Sequence, residues 1–146
     1  MKKAPKIILT VLILCLLAFI WGNSCLPGEE SDVLSLDVVS AIWGILPDGV
    51  TSEQANNIVR KIAHFSEFGL LGALLCLRFL RDPDVKLIPF SLAFSCAVID
   101  ETIQIFSGRG PSFIDVLIDS AGAACGVALI LLIFRGKRGF AAGGTL

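Results

Sequence analysis

The sequence predicts an all-α fold, a four-helix transmembrane bundle formed by one domain of 146 residues. Hydrophobic residues make up 55% of the chain and charged residues only 17%, which is too apolar for a soluble chain of this size. The apolar residues fall in four continuous runs, each near the ~20 residues that a helix needs to cross a bilayer. Such runs are too long for barrel strands, and helices satisfy their own backbone groups in lipid.

The four predicted spans cover about residues 7–23, 58–80, 87–106 and 113–134. The first run follows three lysines and resembles a signal peptide, but the strongly hydrophobic segments downstream favour an uncleaved span. Pro89 lies in the first turn of the third span, where a missing N–H is harmless. We expect the glycine-rich tail, residues 135–146, to be unstructured.

The placement of lysine and arginine predicts the orientation of these spans. One set of span ends carries Lys2, Lys3, Lys6, Arg78, Arg81, Lys86, Arg135, Lys137 and Arg138. The opposite side carries an acidic loop with Glu29, Glu30, Asp32, Asp37, Asp48 and Glu53. Because lysine and arginine concentrate in cytoplasmic segments, we expect both termini to be cytoplasmic and the acidic loop to be external.

The external loop between the first two spans contains a predicted short helix. The stretch "DVLSLDVVSAIWGIL" places four apolar residues at helical spacing, namely Leu36, Val39, Trp43 and Leu46. A tryptophan suits the membrane interface, so this helix is expected to lie on the outer leaflet. Thr51 and Gln54 then have the spacing of a capping box that opens the second span.

Ionisable residues inside the spans all lie toward the predicted external ends. Helical spacing groups them into three stripes: Arg60, His64 and Glu67; Asp100, Glu101 and Gln104; Asp115 and Asp119, which continue into Gly122 and Gly126. The two glycines form a small-xxx-small pair that allows close helix approach. Ionisable groups at this depth are costly, so the stripes and Arg109 predict a polar pocket that opens on the extracytoplasmic side.

Structural roles are the alternative for several of these residues. Lys61 lies off the stripe and is expected to extend toward headgroups. Asp115 follows Ser112 by three residues, as a helix cap would, and Arg109 sits among turn residues. An ion-pair network among Arg60, Glu67, Asp100 and Arg109, with His64 as a packing residue, would also account for the buried charges.

Metal and cofactor chemistry receives little support from the residue types. The chain has five cysteines, an odd number, and its sequence has no CxxC motif. Neither a disulfide framework nor a zinc knuckle is therefore indicated. A mixed metal site of His64, Glu67 and Glu101 is conceivable, but the chain has a single histidine. We therefore expect no metal, no cofactor and no nucleic-acid partner.

Two blocks of the sequence, "RKIAHFSEFGLLG" and "VIDETIQIFSGRGPSFIDVLIDSAGAACG", resemble the signature blocks of VanZ-like membrane proteins. The upstream "WGNSCLPGEESDVLS" resembles the serine-rich external segment of that family. Asp119 stands where asparagine is common in the family, and Phe68 where tyrosine is common. The resemblance implies a four-span protein of the bacterial cell membrane, and some members confer low-level resistance to glycopeptide antibiotics such as teicoplanin.

Two functions remain open from the sequence. The first is binding of a membrane lipid, a lipid-linked cell-wall precursor or a glycopeptide, with ligand contacts from Arg60, Gln104, Arg109, Asp115 and Asp119. The second is an intramembrane enzyme that modifies or hydrolyses such a precursor, with His64, Glu67, Asp100 and Glu101 as catalytic candidates. A transporter is disfavoured because the inner halves of the spans are almost purely aliphatic.

Overall fold

A computed structural model describes residues 3–47, 49–80, 87–110 and 112–142, with the side chains at 3–5, 29, 34 and 135–142 excepted. The described chain is helical, with connecting turns. Its helices, in order, are α1 (Lys3–Ser24), α2 (Gly28–Ile42), α3 (Ser52–Phe79), α4 (Ile88–Phe106) and α5 (Phe113–Ala142). A short 3₁₀ turn, Trp43–Ile45, extends α2.

Four of the five helices are long and apolar enough to cross a membrane, as the sequence predicts. The stretches that qualify are Lys6–Ser24, Ser52–Phe79, Ile88–Phe106 and Phe113–Phe134. Helix α5 continues past the fourth span to Ala142. The expectation of an unstructured tail is therefore wrong for residues 135–142, because the helix persists beyond its apolar run, and residues 143–146 lie outside the described residues.

Helix α3 begins six residues before the predicted second span, at the capping box. Gln54 N–H donates to Thr51 Oγ1 at 3.3 Å, and Thr51 N–H donates to Gln54 Oε1 at 3.1 Å. These two bonds satisfy backbone donors that would otherwise lack partners at a helix start. The cap therefore confirms the predicted start signal and places Asn56, Asn57 and Arg60 on the first turns of α3.

The predicted loop helix exists as α2 and the 3₁₀ turn that follows it. Val39 is buried, whereas Trp43 is half exposed, and α2 packs against α3, where Asp32 contacts Asn56 and Arg60. A partly exposed tryptophan beside a buried valine fits an interfacial helix. The position of α2 relative to a membrane, like the orientation of the termini, stays a prediction.

Helices α3 and α5 form the tightest contact of the bundle along a stripe of small residues. A Cβ atom built on Gly122 would collide with the Phe65 carbonyl, and one built on Gly126 would collide with the Gly69 carbonyl. A Cβ on Gly72 would likewise collide with the backbone of Ala123. We call this contact the glycine seam; its residues are Phe65, Gly69, Gly72, Gly122, Ala123 and Gly126. The seam confirms the predicted close approach of helices at Gly122 and Gly126.

The apolar core lies between α1, α3, α4 and α5. Its fully buried members include Ile20 from α1, Phe68 and Leu71 from α3, Ala97 from α4 and Ala123 from α5. Small residues on α4 and α5 and larger side chains on α1 and α3 make up this core, a combination that allows close packing. The same four helices also contribute buried polar residues, namely Ser24, Asn56, Asp100 and Asp119.

Several residues that support the predicted orientation lie outside the described part of the chain. Lys2, Asp48, Arg81 and Lys86 are among them, as are the side chains of Lys3, Glu29, Arg135, Lys137 and Arg138. Arg78, at the far end of α3, is described: its Nε donates to Thr10 Oγ1 of α1 at 3.2 Å. Arg78 thus marks the end of the bundle opposite the polar residues.

Candidate ligand site

One end of the bundle holds a cavity of about 320 Å³. Helices α3, α4 and α5, the α4–α5 turn and the start of α2 contribute its walls. The lining residues are Gly28, Asn57, Arg60, Lys61, His64, Gln104, Gly108, Arg109, Gly110, Asp115 and Ile118. We call this space the polar cavity.

Three cationic side chains line the polar cavity, and two of them have carboxylate partners. Arg60 Nη1 lies 3.3 Å from Asp32 Oδ1, and that oxygen also accepts a hydrogen bond from Asn56 Nδ2 at 3.1 Å. Lys61 Nζ forms an ion pair with Asp115 Oδ1. Lys61 therefore does not extend freely toward headgroups, as the sequence suggested, but bridges α3 to the start of α5.

Arg109 is the third cation, and it has no carboxylate ion pair within the described part of the chain. Its Nη2 makes a long contact of 3.5 Å with the Asn23 carbonyl, and its buried Nε has no hydrogen-bond partner there. Burial, and then the nearby charge of Arg60, lower the pKa of Arg109. A guanidinium remains charged at neutral pH in any case. The cavity wall therefore carries a cation whose Nε–H donor has no partner among the described residues.

Behind the cavity wall, Asp100 is fully buried and hydrogen bonded through both carboxylate oxygens. Ser24 Oγ at the end of α1 donates to Oδ1 at 2.7 Å, and Gln104 Nε2 donates to Oδ2 at 2.9 Å. A buried carboxylate is tolerated only when such donors replace its water. Ser24 and Gln104 thus fix the carboxylate plane of Asp100.

His64 links the polar cavity to the buried acids. Its Nδ1 lies 3.5 Å from Asp119 Oδ1 and 3.8 Å from Asp100 Oδ2. Asp119 is fully buried, and neither of its carboxylate oxygens has a hydrogen-bond partner among the described residues. One ligand atom from each of these three residues lies within 4.8 Å of the others. We call His64, Asp100 and Asp119 the buried triad.

Glu101 has a structural contact that the sequence did not predict. Its Oε2 accepts the backbone N–H of Ser112 at 2.8 Å, while Ser112 Oγ accepts the N–H of Asp115 at 3.3 Å. The N-terminus of α5 is therefore capped by Ser112, the residue before the helix, and Glu101 of α4 accepts the backbone N–H of that residue. The Asp115 carboxylate does not accept the Ser112 N–H, as it would in a capping box, and forms an ion pair with Lys61 instead.

The structure brings seven of the nine predicted site residues together, and Glu67 and Glu101 lie outside this group. Those that line the polar cavity or lie directly behind it are Arg60, His64, Asp100, Gln104, Arg109, Asp115 and Asp119. Glu67 is partly buried on α3 and is neither a lining residue nor part of the buried triad. The metal set considered from the sequence, His64 with Glu67 and Glu101, is likewise not the set that converges in the described chain.

Sequence reasoning missed Ser24, Asn23 and Asp32 as parts of the site. Asn23 and Ser24 are the last residues of α1, and Asp32 lies in the first turns of α2, so all three come from the end of the first span and the segment directly after it. Their contacts with Asp100, Arg109 and Arg60 span 76, 86 and 28 residues of sequence. The signal that could have found them was the family-like segment "WGNSCLPGEESDVLS".

These features define a class: a small helical membrane protein with four long apolar helices and a polar cavity at one end of the bundle. A family model described as VanZ/LLP1 matches residues 7–135. The chain therefore belongs to the VanZ/LLP1 family. No curated protein and no solved structure matches it.

Proposed function

We propose that the polar cavity binds the anionic headgroup of a membrane lipid or a lipid-linked cell-wall precursor, from the outer leaflet of the bacterial cell membrane. The observation that carries the proposal is Arg109, a partly buried guanidinium on the cavity wall with no carboxylate ion pair in the described chain. Phosphate and carboxylate are the groups that match a guanidinium in charge and geometry.

The balance of charge in the polar cavity supports the same ligand class. Asp32 and Asp115 form ion pairs with Arg60 and Lys61. Arg109 has no ion pair within the described chain, and the repulsion of Arg60 acts on it against the more distant attraction of Asp32, Asp100 and Glu101. An anionic group between Arg60 and Arg109 would relieve this repulsion. A cavity of about 320 Å³ is at the small end of ligand pockets and suits a headgroup better than a whole glycopeptide.

Low-level glycopeptide tolerance would then follow indirectly, through the lipid that the protein holds. A lipid bound at the outer leaflet changes what a glycopeptide meets on the cell surface, without direct capture of the drug. This links the proposed headgroup site to the teicoplanin resistance of some members of the family. It also predicts that tolerance depends on Arg109 even though the antibiotic exceeds the cavity in size.

The test compares Arg109→Gln with Arg78→Gln in protein reconstituted in nanodiscs. Both variants remove one arginine, but Arg78 lies at the opposite end of the bundle, where its Nε donates to Thr10 Oγ1 of α1. A charge-assisted hydrogen bond contributes about 1.5–3 kcal/mol, so Arg109→Gln should raise the Kd for a phosphate-bearing lipid about 10–100-fold. Arg78→Gln should leave this Kd within twofold.

Equal binding of the lipid by both variants would contradict the headgroup site, and so would equal affinity for anionic and zwitterionic lipids. In cells, Arg109→Gln at matched membrane levels should remove any glycopeptide tolerance that the wild-type chain confers. Growth inhibition across a teicoplanin dilution series measures this directly.

The outward orientation of the cavity has its own test. Cys25 is exposed, directly after α1, and in a chain with the other four cysteines replaced it becomes a single reporter. A membrane-impermeant maleimide added to intact cells should label Cys25 as fully as it does after lysis. Labelling only after lysis would place the polar cavity on the cytoplasmic side.

A second candidate function is an intramembrane enzyme that modifies or hydrolyses a lipid-linked precursor. The observation in its favour is His64, which lines the polar cavity with Nδ1 3.5 Å from Asp119. In this arrangement His64 would transfer the proton, while Arg60 and Arg109 would stabilise negative charge that develops on the substrate. Incubation of the reconstituted protein with labelled precursor separates the two functions: a new product means catalysis, and saturable retention without turnover means binding.

A further inference from the structure

We infer that the buried triad of His64, Asp100 and Asp119 is a binding site for one divalent transition-metal ion. Three helices, α3, α4 and α5, each contribute one ligand. Imidazole nitrogen and carboxylate oxygen together suit zinc, manganese and iron. The inference concerns the triad itself and does not depend on which lipid the polar cavity binds.

The spacing of the ligand atoms fits a shared ion better than direct hydrogen bonds. His64 Nδ1 is 3.5 Å from Asp119 Oδ1 and 3.8 Å from Asp100 Oδ2, beyond the roughly 2.7–3.2 Å of N–H···O hydrogen bonds. Two ligands of a tetrahedral ion with bonds of about 2.0–2.1 Å lie about 3.3–3.4 Å apart. The two distances from His64 are thus within about half an ångström of a coordination geometry, and the carboxylate oxygens of Asp100 and Asp119 lie within 4.8 Å of each other.

The state of Asp119 independently points to a cation. This carboxylate is fully buried, and neither oxygen has a hydrogen-bond partner in the described chain. Two buried carboxylates this close repel each other unless a proton or a cation lies between them. A divalent ion would compensate both charges of Asp100 and Asp119 with a neutral imidazole as the third ligand.

The surroundings of the triad resemble the support that metal ligands need. Asp100 is held by Ser24 and Gln104, whose hydrogen bonds of 2.7 and 2.9 Å orient its carboxylate. His64 also lines the polar cavity, so an ion on its Nδ1 would lie at the boundary between core and cavity. Three protein ligands leave at least one coordination position, as in sites that bind an exogenous ligand.

The experiment measures metal binding by the whole chain in detergent, purified with a tag that contains no histidine. After removal of bound ions by chelator and dialysis, the protein is titrated with Mn²⁺ and, separately, with Zn²⁺, and the retained metal is quantified by mass spectrometry. We expect one ion per chain. Asp119→Asn should weaken binding by more than the roughly 10–100-fold that loss of an outer-shell partner costs, and Ser24→Ala by about that range.

Asp37→Asn is the matched control, because Asp37 is exposed on α2 away from the triad, and its affinity should equal that of the wild type. A wild-type chain that retains no ion, or an Asp119→Asn chain with wild-type affinity, would overturn the site. If Asp119→Asn is not monodisperse, His64→Gln replaces it with the same expectation. Cobalt substitution excludes the cysteines: a thiolate-to-cobalt absorption band would place the ion elsewhere and overturn the inference.

Discussion

The glycine seam and the buried triad lie next to each other on the same two helices, yet they use burial in opposite ways. Along the seam, Gly122 and Gly126 bring the backbone of α5 onto α3 until no side chain fits between them. One turn toward the cavity, His64 and Asp119 face each other 3.5 Å apart without a hydrogen bond. Close backbone packing at the seam therefore sets the separation of the polar groups beside it.

From this contrast we infer that the glycine seam stabilises the folded bundle, whereas the buried acids of the triad destabilise it. Small residues allow van der Waals contact, which is the main attraction between helices in lipid. A buried carboxylate without partners opposes folding. Natural proteins keep such groups where function needs them. Four experiments test this difference, from the largest expected effect to the smallest.

The largest effect is expected from Gly126→Ala at the seam. The new Cβ would meet the backbone of Gly69 and Ala73, which cannot move aside as a flexible side chain would. We expect a loss of more than about 3 kcal/mol in unfolding free energy, at or above the upper end of ordinary overpacking. Denaturant titration in detergent measures this loss.

Gly22→Ala is the control for that substitution, because a Cβ at Gly22 in α1 meets no atom within 4 Å. Replacing an exposed helical glycine by alanine should stabilise α1 by up to about 1 kcal/mol. Equal effects of the two changes would mean that the seam is not a close backbone contact.

The next effect is expected from Asp100→Ala in chelator-treated protein. The change leaves Ser24 Oγ and Gln104 Nε2 without their acceptor. A buried donor without a partner costs about 1–3 kcal/mol, so we expect a net destabilisation of that order. A thermal melt in detergent, with Asp37→Ala as the exposed control, measures it; a more stable variant would show that the hydrogen bonds do not compensate the buried charge.

Asp119→Asn should have the opposite sign under the same chelator conditions. Its carboxylate has no hydrogen-bond partner in the described chain, and its contact with His64 Nδ1 at 3.5 Å is an ion pair only when the imidazole is protonated. At a pH at which His64 is neutral, neutralising Asp119 therefore removes a desolvation cost and breaks no ion pair. We expect a gain of about 1–2 kcal/mol, typical of replacing a poorly compensated buried charge. A loss of stability in the melt would contradict the assignment of Asp119 as an unsupported buried group.

The smallest effect is expected from the ion pair of Lys61 and Asp115. The two side chains are 44% and 31% exposed, and ion pairs with this much solvent access contribute about 0.2–1 kcal/mol. A double-mutant cycle with Lys61→Gln and Asp115→Asn should give a coupling energy in that range. A coupling energy above about 2 kcal/mol would mean that water screens this ion pair much less than the exposed fractions of its side chains imply.

Much of the fold was predictable because its determinants are local. The length and hydropathy of each apolar run predicted α1, α3, α4 and α5, and Thr51 with Gln54 predicted the start of α3. The spacing of Gly122 and Gly126 predicted close helix contact. The end of α5 was not predictable, since a glycine-rich composition does not reveal a helix that simply continues from its own apolar run.

The partners of the charged residues were less predictable. The sequence suggested Arg60, Glu67, Asp100 and Arg109 as one ion-pair network, but Arg60 pairs with Asp32 of α2 instead. Glu101 looked like a catalytic candidate and accepts a bond from the Ser112 backbone. In each case the partner comes from a loop or a neighbouring helix whose rotation the sequence does not specify.

The sequence by itself determined that the chain forms four long apolar helices and that their polar residues gather toward one end, because hydropathy and helical periodicity are properties of each segment alone. The tertiary structure decided which polar groups meet. It joined Asp100 to Ser24, left Asp119 without a hydrogen-bond partner among the described residues and placed His64 Nδ1 within 3.8 Å of both acids. Those choices depend on helix rotations and separations of a few ångströms, which are set by packing between segments far apart in the chain.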